Sequence, residues 1–188
     1  TFTPRDADLW QWALLLVGTE VAISQVKNSP LVKRWNHRAN ESAIFDLAPI
    51  SSHGRWAKQT PFTDESSETR VPRENIGQVA AITRARIKWS KNLTFWRAVP
   101  PVITELSKAP GLIAAIGIGE APLGLQGTFS VWRDAQSLRN FAYKTVAHND
   151  AITATKEIGW YSEELFARFS VISATGSVNG IEVGHTAD

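Results

Sequence analysis

Four histidines, His37, His53, His148 and His185, are the side chains here most ready to hold a metal or carry a proton near neutral pH. Their spacing supplies no His-x-x-x-His or Glu-x-x-His pair, so a zinc or di-iron site built from several local ligands has no support. The chain has no Cys, which removes thiolate zinc clusters and iron–sulfur centres. His148 stands apart from the other three. Leu138, Phe141, Ala142, Thr145, His148, Ile152 and Thr155 recur at steps of three and four, the spacing that lines one side of an α-helix. An imidazole on that apolar side must be paired, because burying it unpaired costs several kcal/mol. A backbone carbonyl, a water or a metal would each serve, and on spacing alone a core histidine bonded to a carbonyl is the commoner case. Among metals, a haem iron suits a solitary histidine, since the porphyrin fills the equatorial positions and the protein supplies an axial imidazole. His185 in the polar GHTAD tail, His53 in the SSHGRW turn and His37 in the charged run Lys33–Arg38 read as solvent-facing.

Arg84 and Arg86 alternate with Thr83, Ala85 and Ile87, which puts both arginines on one face of a strand. That face could pair with haem propionates or polarise bound oxygen, although an exposed basic strand edge explains at least one of them as well. The stretch Gly117–Gly124 is glycine-rich but lacks the Lys-Ser/Thr of a phosphate loop and leads into a strand, so it reads as a hinge. No nucleophile elbow is visible, and acyl transfer has no support. Basic residues are scattered, with Arg84, Arg86, Lys88 and Lys91 the densest run, so nucleic acid is not an expected partner. Eight tryptophans suit a pocket for a large apolar ligand, and equally suit core filling.

The elements that must position these groups follow from the pattern. Leu9–Val17 reads as a strand and Thr19–Glu41 as a helix broken near Asn28-Ser29-Pro30. Ala43–Ile50 is a second strand, followed by a polar, turn-rich stretch from Ser51 to Gly77. Strand 79–89, helix 94–108 carrying Pro100 and Pro101, strand 112–119, strand 125–132, helix 134–160 and strand 165–173 complete the series. No apolar run reaches the roughly twenty residues of a membrane span, and no secretory signal opens the chain, so a cytoplasmic location is the simplest expectation. At 188 residues and 43% hydrophobic content the chain can build a full core.

The order βαββαβ over residues 78–176 is the ferredoxin-like unit. Glu41–Ser51 echoes Glu163–Ser173, and the first half then supplies only the last three elements of the same unit. The expected architecture is α+β: tandem ferredoxin-like repeats with sheets face to face, as in a dimeric α+β barrel. Residues 1–62 form the truncated first repeat, 63–77 a linker, 78–176 a complete second repeat, and 177–188 a tail. The absence of Met agrees with residues preceding Thr1.

The phrases Phe95-Trp96-Arg97-Ala98-Val99-Pro100, Ile116–Pro122 (IGIGEAP), Thr128–Trp132 and Gly159–Phe169 (GWYSEELFARF), together with Ala81–Ala85 and His148, resemble the spheroidene monooxygenase family of carotenoid biosynthesis. The resemblance runs over most of the chain. It implies a haem b oxygenase that acts on the terminal region of an acyclic carotenoid to give a 2-oxo product, with O2 and a ferredoxin-type electron donor. The chain is similar at fold level to haem-binding α+β barrels such as chlorite dismutases and dye-decolourising peroxidases, and this makes His148 the expected axial ligand. The resemblance further implies that Phe129, Trp132, Phe141, Trp96 and Trp89 line the cofactor pocket. Arg84, Arg86 and Gln126 become candidate catalytic groups near the oxygen or the propionates. A carotenoid substrate implies loose membrane contact, and association into a homo-oligomer stays open. Two other readings keep the fold: a haem-binding protein without oxygenase chemistry, and a cofactor-free monooxygenase or small-ligand binder.

Overall fold

The computed structural model describes residues 13–62, 77–119, 125–144 and 159–186. Helices α1 (Glu20–Lys27) and α2 (Pro30–Arg38) are separated at the expected break. Thr19 caps α1, and Ser29 caps α2 with its hydroxyl accepting from the Val32 amide, while Pro30 takes the first turn, where its missing N–H costs nothing. Strand β1 (Ala43–Gly54) follows, then β2 (Val79–Ile87), α3 (Asn92–Ser107), β3 (Leu112–Gly119), β4 (Leu125–Trp132), α4 (Ala135–Lys144) and β5 (Tyr161–Val178). Two short strands, β6 (Ile181–Glu182) and β7 (His185–Thr186), fold back onto β5.

The strand order is β1-β5-β2-β4-β3, with every described pairing antiparallel. The segment β2-α3-β3-β4-α4-β5 therefore closes as β5-β2-β4-β3, the ferredoxin-like arrangement of an α+β fold. β1 extends this sheet beyond β5 instead of belonging to a separate one. The sheet is strongly coiled. β1 and β4 lie three strand spacings apart, about 14 Å if flat, yet the rings of Phe45 and Phe129 meet with centroids 5.2 Å apart. Register shifts at Asp46/Leu47 and Pro49/Ser51 supply the local bending that lets β1 and the far half of β5 curl back.

Alternation splits the core into two layers. Ala80, Ile82, Val131, Leu165, Ala167, Phe169 and Val171 fill the concave side, which Phe45, Trp56 and Phe62 complete. Val79, Ala81, Trp132, Leu138 and Leu106 fill the other side, beneath α3 and α4. α4 is started by Asp134, whose carboxylate accepts from the Ser137 amide at 2.7 Å. α3 runs as one helix through Pro100 and Pro101.

Several expectations are corrected. Ala13–Val17, the described part of the expected Leu9–Val17 strand, is not a strand, and Leu14, Leu15 and Val17 are exposed. An apolar run forms a strand only where a neighbour satisfies its backbone, and none lies beside it among the described residues. The first half thus lacks, in that part, the strand its repeat requires. β1 continues four residues past Ile50 because β5 continues opposite it to Leu165. Phe62 is a core residue, packed with residues of β2, β4 and β5. The 177–188 tail contains β6 and β7, and Val183 is buried. Gly159 and Trp160 are not helical, so the 134–160 helix does not reach its expected end. The linker over 63–76 and the helical stripe from Thr145 to Thr155 fall outside the described residues.

Candidate functional site

The helix-covered side of the sheet gathers most of the expected pocket residues. β4 has no register shift against β2, so Gln126, Thr128, Ser130 and Trp132 share one face, and Trp132 fixes that face as the one under α3 and α4. Trp132 is fully buried, its indole N–H donates to Ser130 Oγ at 3.0 Å, and its ring lies 5.3 Å from that of Phe141 on α4. It forms a wall, with no polar atom left over. Two other groups on this side differ. Gln126 is 8% exposed and its Oε1 has no hydrogen-bond partner, and Trp96 Nε1 on α3 is likewise buried without one. Native proteins pair nearly all such atoms, with protein or with ordered water. Phe95 sits next to Trp96 and contacts Trp160 and Tyr161 edge-on, with centroids 5.7 and 6.0 Å away. On the same face lie Ala81, Thr83 and Ala85 of β2 and Ala115 and Gly117 of β3, with Phe166 of β5 directly across from Thr83. Thr83 is exposed although β2 is an interior strand of the sheet.

The concave side carries the arginines. Arg84 is 2% exposed, with Nη1 2.7 Å from Glu163 Oε1 and its guanidinium 4.9 Å from the centre of the Trp56 ring. Glu163 also accepts from the amides of Ala57 (2.9 Å) and Lys58 (2.7 Å). Both residues have left-handed backbones, φ 52° and 67°, in the tight turn closed by the reciprocal bonds between Trp56 and Gln59. Such a turn without glycine is strained, and the Glu163 carboxylate holds it. Burial opposes ionisation of Glu163, but the Lys58 amide, the Arg84 guanidinium and the Ala57 amide outweigh it and keep its carboxyl below the usual glutamate range. Arg86 lies on the same face and is exposed.

The structure places Trp132, Phe141 and Gln126 on the helix side of the sheet, and Trp96 on α3. It separates them from Arg84, Arg86 and Phe129, which belong to the concave side. Trp89 is 76% exposed in a short 3-10 turn (Trp89–Lys91) beyond the end of β2, and it lines neither layer, because the strand stops at Ile87. His37 and His53 are exposed. His148 falls outside the described residues. Among the described residues no group of three or more His, Asp or Glu side chains is placed to hold a metal. The sequence reading missed Glu163, Trp56, Thr83 and Thr128. Period-two alternation already placed Thr83 opposite the arginine face, but only the register sets it across from Thr128.

No family model matches the chain. Spheroidene monooxygenase of Rhodobacter capsulatus is 38% identical over 182 residues, which is 95% of this chain and 73% of that protein. The chain belongs to the spheroidene monooxygenase family. A second spheroidene monooxygenase, from Cereibacter sphaeroides, is 35% identical over 183 residues, 95% of this chain and 54% of that one. The chain thus spans between about half and three quarters of the length of these two members of the spheroidene monooxygenase family. Among solved structures, an inferred monooxygenase of Fusobacterium nucleatum superimposes with a TM-score of 0.51 at 14% identity, over 89% of this chain and 70% of that one. At that identity the likeness concerns fold alone.

Proposed function

We propose that this chain is a haem-dependent monooxygenase that oxidises the terminal region of an acyclic carotenoid to a 2-oxo product, with O2 and a ferredoxin-type donor. The observation that carries the reading is the 38% identity to a spheroidene monooxygenase along 95% of the chain. The helix-side layer supports it: flat aromatic side chains, small residues on β2 and β3, and two buried polar atoms lacking partners. These residues fit a haem. His148 would hold the iron, and the Trp96 indole N–H is a donor suited to a propionate oxygen. Bound there, haem supplies the reductive activation of O2 that an unactivated C–H bond demands.

The protein's own part is positional. Trp132, fully buried against Phe141, holds α4 onto the sheet beneath the site. Gln126 offers the site a buried hydrogen-bonding group. Arg84 acts at a distance. Its guanidinium is engaged by Glu163 on the opposite face of the sheet, so it fixes β2 against β5 instead of touching substrate. Because the substrate partitions into lipid, contact with a membrane surface belongs to this reading. No helix among the described residues is long and apolar enough to cross a bilayer.

The test is turnover. Protein supplied with haem, a reduced ferredoxin system and O2 should convert an acyclic carotenoid to a ketone carrying one oxygen atom from labelled O2. A product without label, or no product from any acyclic carotenoid, contradicts the reading.

A further inference from the structure

We propose that Trp89 and Leu93, flanked by Lys88, Lys91 and Arg97, form a docking surface for an anionic lipid bilayer, the phase from which the substrate is drawn. The source of the substrate rests on the carotenoid reading above, whereas the docking itself does not. Trp89 is 76% exposed, more than any other large apolar side chain among the described residues, and Leu93 is 67% exposed. Trp89 opens the 3-10 turn that leads straight into α3, and Leu93 lies in the first turn of α3. Single apolar residues scattered over a surface need no explanation, but a tryptophan and a leucine this exposed at one corner mark a contact. Indole suits the boundary between water and lipid, because its ring is apolar and its N–H is polar.

Charge sets the partner's sign. From Ala85 to Thr104 the chain carries Arg86, Lys88, Lys91 and Arg97 and no Asp or Glu. Lys88 and Arg97 are exposed and Lys91 partly so, and among the described residues none of the three pairs with a carboxylate. The lysines also stand where a helix least favours them. Lys91 holds the N-cap of α3 without a side-chain hydrogen bond, and no acidic residue occupies the first turn, so the positive end of the helix dipole opposes the lysine. α1 and α4 begin instead on Thr19 with Glu20 and on Asp134. An anionic surface offsets that local cost and receives Trp89 and Leu93 in its headgroup layer. An acidic protein would meet the cations as well, but two exposed apolar side chains and a substrate that partitions into lipid favour the bilayer. The patch borders the aromatic side chains of α3. Phe95 and Trp96 follow Leu93 directly, Phe95 contacts Trp160 and Tyr161, and the Lys88 amide donates to the Trp160 carbonyl at 2.8 Å.

The experiment is co-sedimentation of the full chain with vesicles of phosphatidylcholine alone and with vesicles of equal parts phosphatidylcholine and phosphatidylglycerol. The chain should bind the anionic vesicles more tightly by roughly tenfold or more, and added salt should weaken that binding. Lys88→Gln and Arg97→Gln should each weaken it by roughly fivefold, and Trp89→Ala by roughly tenfold, with the fold intact because all three side chains are exposed. Leu93→Ser should raise KM for carotenoid supplied in those vesicles and leave kcat/KM for detergent-dispersed carotenoid unchanged. Equal binding to both kinds of vesicle, or undiminished binding by every variant, overturns the inference. Variants that bind vesicles normally but lose turnover of detergent-dispersed carotenoid would assign the patch to an acidic donor protein and overturn it as well. Vesicle binding that depends on the patch, without conversion of any acyclic carotenoid, would sink the oxygenase reading and leave the docking surface standing.

Discussion

Glu163 is the residue on which the concave side depends. It pairs with a buried guanidinium and holds two left-handed residues through their amides. Breaking a buried pair by removing one member costs about 3 kcal/mol or more. Glu163→Gln or Arg84→Met should therefore lower Tm by about 6–12 °C in a chain of this size. The double variant should lose less than the sum of the single variants, since both remove the same ion pair. The acid limb carries a further signature. The folded carboxyl of Glu163 titrates below its unfolded value, so its contribution is complete above the ordinary glutamate pKa of about 4.3 and disappears as pH falls through the lower folded one. Glu163→Gln should flatten the loss of stability in that acid window, measured by urea unfolding at stepped pH. At this scale the sequence was half legible. Alternation put Arg84 and Arg86 on one face, but the partner of Arg84 lies 79 residues away and emerges only from the β2–β5 register.

At the scale of elements, caps and close approaches are decisive. Asp134→Ala removes the acceptor for the Ser137 amide and should cost about 1 kcal/mol, seen as a Tm drop of about 2–4 °C. Gly127 allows β4 to lie close against β2, since a Cβ there would collide with the Thr83 carbonyl oxygen. Gly127→Ala should destabilise by about 1–3 kcal/mol. The break between α1 and α2 and the four strands β2 to β5 could be read from proline, glycine and periodicity. Strand ends could not. β1 and β5 each run further than their hydrophobic patterns because each satisfies the other's backbone, whereas Ala13–Val17 has the pattern and no such neighbour. Pairing across the sheet, a long-range property, overrides local propensity here.

At the scale of the whole molecule, the sheet coils until Phe45 meets Phe129. This leaves its two faces with different tasks. The concave face is packed shut by aromatics and one buried ion pair. The helix face keeps an exposed threonine and unpartnered polar atoms. The βαββαβ order was legible from the chain, and so was membership of the spheroidene monooxygenase family, through phrases such as FWRAVP and GWYSEELFARF. Which candidate residues share a face was not legible, because that depends on register and coiling. Under the proposed function, His148 would hold a haem iron. The measurement that tests it most directly is the absorption spectrum of protein produced with haem supply, taken for the unaltered chain and for His148→Ala. The account predicts a Soret band in the first and its loss or marked shift in the second. A colourless unaltered protein, or an identical Soret band in both, would contradict it.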